Sequence, residues 1–516
     1  MGEHRAVPQT SGYSEAGASL IRRALKGFTA PSYSPYQDID WNNRTLRQRG
    51  RMLYMAAPVA TSAINTNRSK IVGTGLTLNV GVDREKLHMT AESATEWQRN
   101  VEHEFRIWAG KKDNCDATGV NNFEGIQQLS VLSWLTSGDT FALIQRVPAT
   151  STQPYTLRLH LIEADRVSTP TNNGVNMHYR NTEGKNNENG NDIHDGVEVD
   201  KNGRIVAYHI CDSYPGQIPG QLAKWTRVEA YGKNTGLPNI LHIMNAERPD
   251  QYRGVTYLAQ VIEPLLNLNR YTQSEMMSAL VQSFFSAWIT TETDKTGIPF
   301  NEVGGADEEV SVNPNEHEMG PGTINHLSPG EGVTFGSPNI PTTGFESFTK
   351  TVCRMVGAAL EIPVDVLMKE FNASYSASRA ALMEAWEAFR MRRKWLVDDL
   401  CQPVYEIWLA EAVALGRIKA PGFFRDPRIR AAWCGAHWIG PVQGHLDPVK
   451  EVKADTMAVS QGFKTREEVT REYGAGDWWE NMEKVKRENE ALGDARGNQA
   501  IDPEVPPDEP EEEQEE

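Results

Sequence analysis

Apolar positions along this chain recur with two periods, and the switches between them outline the expected elements. From Asn43 to about Ile71 the pattern is helical. Pro58 is placed to open the second half, because a proline in a first turn lacks only an N–H that would have no partner there. Gly73 and Gly75 then close the region. Trp97, Val101, Phe105 and Trp108 follow at spacings of four, four and three, one apolar face of a helix. A further helix is predicted from about Asn122 to Leu135, ended by Gly138. The period then becomes two, over Thr140–Gln145 and through Leu157, Leu159 and Leu161 with polar neighbours between them. Val197 and Val199, then Asn202-Gly203, then Ile205 and Ala207 predict a β-hairpin with a type I′ turn, since Asn-Gly accepts positive φ angles. The Asn/Gly-rich stretch Thr171–Gly196 reads as a surface loop and Asn239–Met244 as a last strand.

The character changes at Val255. Leu258, Val261, Ile262, Leu265, Leu268, Met276, Leu280, Phe284 and Trp288 keep a helical period to about Thr290, roughly 50 Å of helix at 1.5 Å per residue. Pro264 is expected to kink or divide it near its start. A Gly/Pro/Glu-rich insert, 293–343, separates it from a shorter helix with Phe345, Phe348, Val352, Val356 and Leu360 on one face, stopped at Pro363. Asp365–Tyr375 reads as a loop, followed by a long helix from near Ser376 to Leu415 with Pro403 interrupting it. Helices are predicted again over Pro448–Ser460, Thr465–Tyr473 and Asp477–Leu492. The first 40 residues read as a flexible arm and the tail from Asn498 as a disordered acidic segment. The fold class is therefore α+β, mainly helical.

Charge narrows the function. The formal net charge is −17, and nine carboxylates lie between Ile501 and Glu516, which leaves −8 for the rest. Tight binding to nucleic acid depends on Lys and Arg displacing counterions, so an acidic excess argues against a protein that grips DNA, though not against one that guides it. The five cysteines are scattered without CxxC spacing and read as reduced, buried thiols of a cytoplasmic protein. No basic segment followed by an apolar run opens the chain, and no stretch is apolar enough to span a membrane, so neither a signal peptide nor a membrane segment is expected.

The motifs of catalysis do not occur. There is no GxxxxGK[ST], HExxH or Gly-x-Ser-x-Gly, and Gly73-Thr-Gly75 lacks the third glycine of a dinucleotide loop and follows a helix. His437, His445 and Asp447 come nearest to a metal cluster and read as ordinary packing and surface groups. Asp307, Glu308 and Glu309 sit in the turn-rich insert as solvated surface. No catalytic residue, metal site or cofactor is expected, and the chain is read as a non-enzyme. The basic run Arg390, Arg392, Arg393 and Lys394 is a solvated or salt-bridged helix face on the simplest reading, with phosphate contact in a channel as the alternative.

Several ordered fragments resemble the lambda-type phage portal family from about Trp41 to Leu492. They are Ile71-Val-Gly-Thr-Gly75, Glu247-Arg-Pro-Asp-Gln-Tyr-Arg-Gly254, Tyr271 with Glu275, and Tyr375-Ser-Ala-Ser-Arg379. Glu384-Ala-Trp386, Phe389, Arg392-Arg-Lys394, Pro403-Val-Tyr-Glu-Ile-Trp408, Trp438-Ile-Gly, Asp447-Pro-Val-Lys-Glu451 and Gly462 extend the resemblance. It implies a portal fold that assembles into a ring, usually of twelve subunits, at one capsid vertex. The parts would be a wing (41–254), a stem helix region (255–292), a clip (293–343), a second stem helix (344–362) and a tunnel loop (363–376). A long helix connecting wing and crown (377–426) and the crown (427–497) would complete it.

On the same resemblance Lys369, Glu370, Phe371, Asn372, Ala373, Ser374 and Tyr375 would face DNA, and Arg390, Arg392, Arg393 and Lys394 would be basic channel contacts. Met276, Leu280, Phe284, Trp288, Val352 and Val356 would pack the stem between subunits. The implied partners are further copies of the chain, terminase, scaffold and major capsid protein, a head-completion or adaptor protein, and double-stranded DNA passing without sequence specificity. The implied location is the virion portal vertex, after assembly in the host cytoplasm. A head–tail adaptor or minor capsid protein is the alternative, disfavoured by the long helix from Val255; a hydrolase or nuclease with a site assembled only in the fold comes after it.

Overall fold

The structure, a computed structural model, describes residues 31–170, 183–186, 188–214, 223–283, 287–291, 331–335, 344–370, 375–443, 448–473 and 478–496. Among them helices predominate and all strand pairs within sheets are antiparallel, the α+β, mainly helical class expected.

A π-helical turn, Tyr36–Asp40, runs directly into α1 (Trp41–Ala56), so regular structure begins inside the stretch expected as an arm; 1–30 lie outside the described residues. Asp40 at the end of the turn is buried near Asp195, Arg253, Arg47 and Asp139, a tertiary setting that no local pattern announces. Ala57 takes an extended conformation and Pro58 opens α2 (Pro58–Ile71) at its first turn, as the sequence predicts. There follow β1 (Thr77–Val80), α3 (Arg84–Leu87), α4 (Ala91–Ala109), α5 (Lys112–Cys115) and α6 (Phe123–Ser137). Thr90 and Asn122 cap α4 and α6 by accepting the N–H of Ser93 and Gly125. Val101, Phe105 and Trp108 of α4 are buried, as their spacing requires.

Eight strands come next: β2 (Asp139–Arg146), β3 (Leu157–Glu163), β4 (Glu183–Lys185), β5 (Asp192–His194), β6 (Val197–Val199), β7 (Ile205–Cys211), β8 (Trp225–Glu229) and β9 (Ile240–Met244). They form a three-stranded sheet, β3-β2-β9, and a five-stranded sheet, β4-β5-β6-β7-β8. Alternation of side chains makes the smaller sheet a middle layer. Phe141, Ile162 and Ile240 pack on Val197, Val199, Tyr208 and Ile210 of the larger sheet. Ala142, Leu157, Leu159 and Leu241 turn the other way, into the helical core.

Two expectations are corrected in this region. The stretch Thr171–Gly196 is not one loop, since β4 and β5 lie within it. These short polar strands are held by Glu198, which accepts hydrogen bonds from the amides of Asn186, Asn189 and Asn191, from His209 and from both ends of the Arg227 guanidinium. Burial alone would raise the Glu198 carboxyl; Arg227 and the three amides hold it far below the usual carboxylate range. The β6–β7 turn also differs from type I′. Gly203 alone has positive φ (79°), and its N–H donates to the Asp200 carbonyl, giving a type I turn followed by a left-handed glycine.

A 3-10 turn (Ala259–Val261) precedes α7 (Ile262–Ser283), and Pro264 lies in the first turn of α7. The helix does not continue to Thr290. Residues 287–291 form β10 (Ala287–Thr291), paired with β11 (Glu331–Phe335), and Trp288 stands opposite Thr334 on that ladder. Ile289, Thr290 and Thr291 are β-branched and favour the extended chain, which outweighs the helical spacing of Trp288. Of the insert 293–343 only β11 is described.

The remaining elements are α8 (Phe345–Ala359), α9 (Val364–Met368), α10 (Tyr375–Leu396), α11 (Gln402–Ala414), α12 (Pro427–Trp433), β12 (Ala436–Ile439), α13 (Pro448–Ser460), α14 (Arg466–Glu472) and α15 (Trp478–Arg496). The long helix is interrupted near Pro403, but by a change of pitch and not a break. A π turn, Val397–Cys401, absorbs one residue ahead of it and leaves Pro403 in the first turn of α11, where its missing N–H costs nothing. Val404, Tyr405, Ile407, Trp408, Leu409, Ala410 and Ala412 bury α11 on all sides. One core joins it to α1, α2, α4, α6 and α10, and β12 pairs with β1. All five cysteines are buried free thiols, as expected.

Candidate functional site

The fragment Glu247–Gly254 owes its chemistry to Arg253, which is fully buried and joins three parts of the fold. Its Nε donates to Asp139 at 2.7 Å, and its two Nη atoms reach Asp139, Asp195 and the carbonyls of Ala164 and Val167. Arg47 of α1 completes the cluster at 3.1 Å from Asp195 and 3.9 Å from Asp139. Burial would raise the Asp139 carboxyl, but Arg253 and Arg47 beside it hold it well below the usual range. His242, stacked on Phe141 and 3.3 Å from Asp139, has its pKa pushed down by burial against the opposing pull of Asp139. Gly254 is required by close approach, since a Cβ there would lie 1.9 Å from the carbonyl oxygen of Gly138, itself at φ 92°. Arg253, Asp139 and Arg47 are buried, Asp195 is half-buried, and Arg47 Nε is left without a hydrogen-bond partner; the ion pairs fix α1 to the sheet. Sequence reasoning missed it; the glycines at 138 and 254, each beside a charged residue that proves buried, were the available signal.

The expected stem residues divide into two groups. Tyr257 Oη donates to the carbonyl of Leu360, while the Tyr271 ring meets Phe345 and Phe348 at 5.5 and 4.9 Å. The two helices α7 and α8 therefore run antiparallel. Val356 is buried and Val352 half-buried against the subunit's own core, so their contacts are internal. Met276 and Leu280 face solvent at 56% and 55% exposure. Met277, Phe348 and Met355, which were not singled out, are exposed at 61%, 50% and 66%. Phe284 lies outside the described residues and Trp288 is on β10.

The expected tunnel loop is partly helical. Pro363 opens α9, Val366 and Leu367 are buried, and Ser62 of α2 donates to the Leu367 carbonyl at 2.7 Å. Lys369 ends the turn with φ 56° and is exposed, as is Glu370, which pairs with Lys350 at 3.5 Å. Phe371, Asn372, Ala373 and Ser374 lie outside the described residues, and Tyr375 is the first residue of α10.

The four basic residues of α10 do not share a face. Arg392 is buried between Glu361, the Asn67 side-chain carbonyl and the Tyr257 ring. Arg393 donates to the carbonyls of Ile71, Lys70 and Pro441. Lys394 is exposed and pairs with Asp398 one turn on, and Arg390 is exposed. Arg392 and Arg393 thus make their bonds within the subunit, while Arg390 and Lys394 are exposed.

Among the described residues no group of three His, Cys, Asp or Glu side chains could hold a metal ion, and no helix is long and apolar enough to cross a membrane. His437 lines a cleft beside α10; His445 and Asp447 lie outside the described residues.

A helical core is joined to a sheet by buried ion pairs, the α7–α8 pair carries exposed apolar side chains, and the comparisons place the chain in the phage portal class. Residues 22–393 match the family described as phage portal protein, lambda family, and the chain belongs to that family. It is 24% identical over 486 residues to the portal protein of Escherichia phage N15, covering 90% of this chain and 87% of that one. It is likewise 24% identical over 485 residues to portal protein B of Escherichia phage lambda, covering 90% and 86%. A chain in the virion of a native gene transfer agent particle is similar at 13% identity with a TM-score of 0.41, over 83% of this chain and 92% of that one.

Proposed function

We propose that the chain is the subunit of a dodecameric portal ring at one capsid vertex, through which double-stranded DNA is packaged and ejected. The observation that carries this reading is the exposed apolar side of the α7–α8 pair. Met276, Met277, Phe348 and Met355 together exceed what isolated surface residues require and suit a neighbouring copy. A contact between two different faces of successive copies closes into a ring when the rotation allows it. In this reading 41–254 is the wing, 255–292 and 344–362 the stem, 293–343 the clip, 363–376 the tunnel loop and 377–497 the crown with its connecting helix.

The net charge of −17 suits a conduit along which DNA slides. Lys369, exposed at the end of α9, is the basic group we place towards the duplex, with Lys394 and Arg390 secondary. The ring would nucleate capsid assembly, dock the terminase, which supplies the ATP hydrolysis, and then hold head-completion proteins. It would do no chemistry of its own, require no cofactor, and reside in the virion after assembly in the host cytoplasm. Electron microscopy of the purified chain with mass by light scattering tests this. Rings with a central hole and a mass near twelve times 57.6 kDa are expected. A compact monomer that persists when scaffold protein is added would overturn it.

A further inference from the structure

The acidic C-terminal segment has no part in the reading above, and one cleft has the chemistry to receive it. The cleft, about 700 Å³, lies between α10, the segment 437–443 and the helices α13 and α14. Its cations are unevenly matched. Arg379 reaches Glu451 at 3.3 Å, and Lys464 reaches Asp455 at 3.1 Å and Glu472 at 2.6 Å. Further along α10, on the same wall as Arg379, Arg390 and Arg393 have no carboxylate partner among the described residues, and Arg393 donates only to carbonyl oxygens. Burial, and then the neighbouring Arg390, push the Arg393 guanidinium down to about 10. A carboxylate between the two would relieve that repulsion. Trp438 and Tyr473, both half-buried, line the same cleft with aromatic surface, and Trp386 is buried beneath Arg393.

We propose that this cleft holds the chain's own C-terminal segment, residues 498–516, in extended form. The segment carries nine carboxylates from Asp502 to Glu516, interleaved with Pro503, Pro506, Pro507 and Pro510. Proline-rich chain is already biased to an extended helix, so it loses little entropy on docking, and its rings pack on aromatic walls. The carboxylates answer Arg390 and Arg393, while the acids of the far wall are already matched by Arg379 and Lys464. Reach is sufficient. Helix α14, which lines the cleft, is followed by α15, whose length is about 28 Å at 1.5 Å per residue. The residues beyond Arg496 span up to roughly 66 Å when extended, enough to run back along α15.

The test uses the full chain carrying Arg390→Lys, which is exposed and so leaves the core intact, treated with a zero-length carbodiimide that joins amines to carboxylates. We expect mass spectrometry to find residue 390 joined to a carboxylate between 502 and 516. The yield should be independent of protein concentration, fall about fivefold or more in high salt, and fall on adding free peptide 498–516. Circular dichroism verifies that the variant is folded. A yield no greater than from an amine introduced on α1 by Arg49→Lys would overturn the proposal. So would cross-links joining isotope-labelled to unlabelled chains mixed before assembly, which would give the cleft to the tail of a neighbouring copy.

Discussion

Replacing Arg253 by Met removes the centre of the buried ion cluster while keeping a side chain of similar length. Asp139, inaccessible to solvent, would lose two hydrogen bonds at 2.7 and 3.2 Å and keep the Gly254 N–H at 3.1 Å, His242 at 3.3 Å and Arg47 at 3.9 Å. The Val167 carbonyl would lose its donor as well, while the Ala164 carbonyl would keep the Val167 N–H. Breaking a buried pair by removing one member costs about 3–5 kcal/mol, and each orphaned buried carbonyl about 1–3 kcal/mol more, partly recovered by the apolar replacement. We expect Arg253→Met to lose about 5 kcal/mol, comparable to the entire stability of many domains. Urea unfolding followed by tryptophan fluorescence and circular dichroism measures it. Pairing it with Asp139→Leu removes both charges, and the double variant should be more stable than the sum of the two losses predicts by about 2 kcal/mol. The pH dependence has a definite sign. The folded-state pKa of Asp139 is depressed, so it contributes stability that is present above the unfolded carboxyl range and lost as pH falls towards the folded value. Without Arg253 that contribution shrinks, so the gap between variant and parent narrows in acid. A loss under about 1 kcal/mol, or strict additivity of the two substitutions, would refute the argument.

Met276→Asp combined with Met277→Asp should leave the subunit's urea midpoint nearly unchanged, because both side chains are more than half exposed, yet abolish rings in light scattering by burying unpaired charge between copies; normal ring yield would mean the stem surface is misplaced. Burial, reinforced by Asp195, raises the Asp40 carboxyl from 3.8 to about 7, so the folded state holds a proton that the unfolded state has released and stability falls as pH climbs between those values. Asp40→Asn should therefore stabilise the chain by roughly 2–4 kcal/mol at about pH 8 and by little near pH 4, and an equal gain at both would contradict the assignment. Gly254→Ala places a Cβ 1.9 Å from the Gly138 carbonyl oxygen and should sharply reduce soluble yield and resistance to limited proteolysis, whereas parent-like resistance would show that the two backbones can separate.

Part of the candidate assembly surface was legible in the sequence and part was not. Met276 and Leu280 were picked for their helical spacing and are exposed on α7, but the same spacing picked Val352 and Val356, which face inward. Periodicity identifies an apolar face without saying which neighbour covers it. Trp288 kept the helical period and lies on a strand, because its ladder partner, Thr334, is more than forty residues away. The run Arg390–Lys394 looked like one basic patch. A helix turns about 100° per residue, so Arg392 was carried to Asn67 and Arg393 to the Ile71 and Lys70 carbonyls while their neighbours stayed in solvent.

What the sequence determined by itself is what short-range physics controls. The helices α1, α2, α4, α6, α8 and α10, the Pro58 start and the alternation of β2 and β3 follow from spacing, capping and proline geometry within a few residues. The resemblance that placed the chain in the portal family was legible too, as ordered fragments along its length. Only the tertiary structure decided the five-stranded sheet held by Glu198, the cluster centred on Arg253, the π turn that accommodates Pro403, and which basic groups remain free to act. Each depends on contacts between segments distant along the chain, and the energy of a charged or polar group is fixed by the solvent and partners that the fold brings to it.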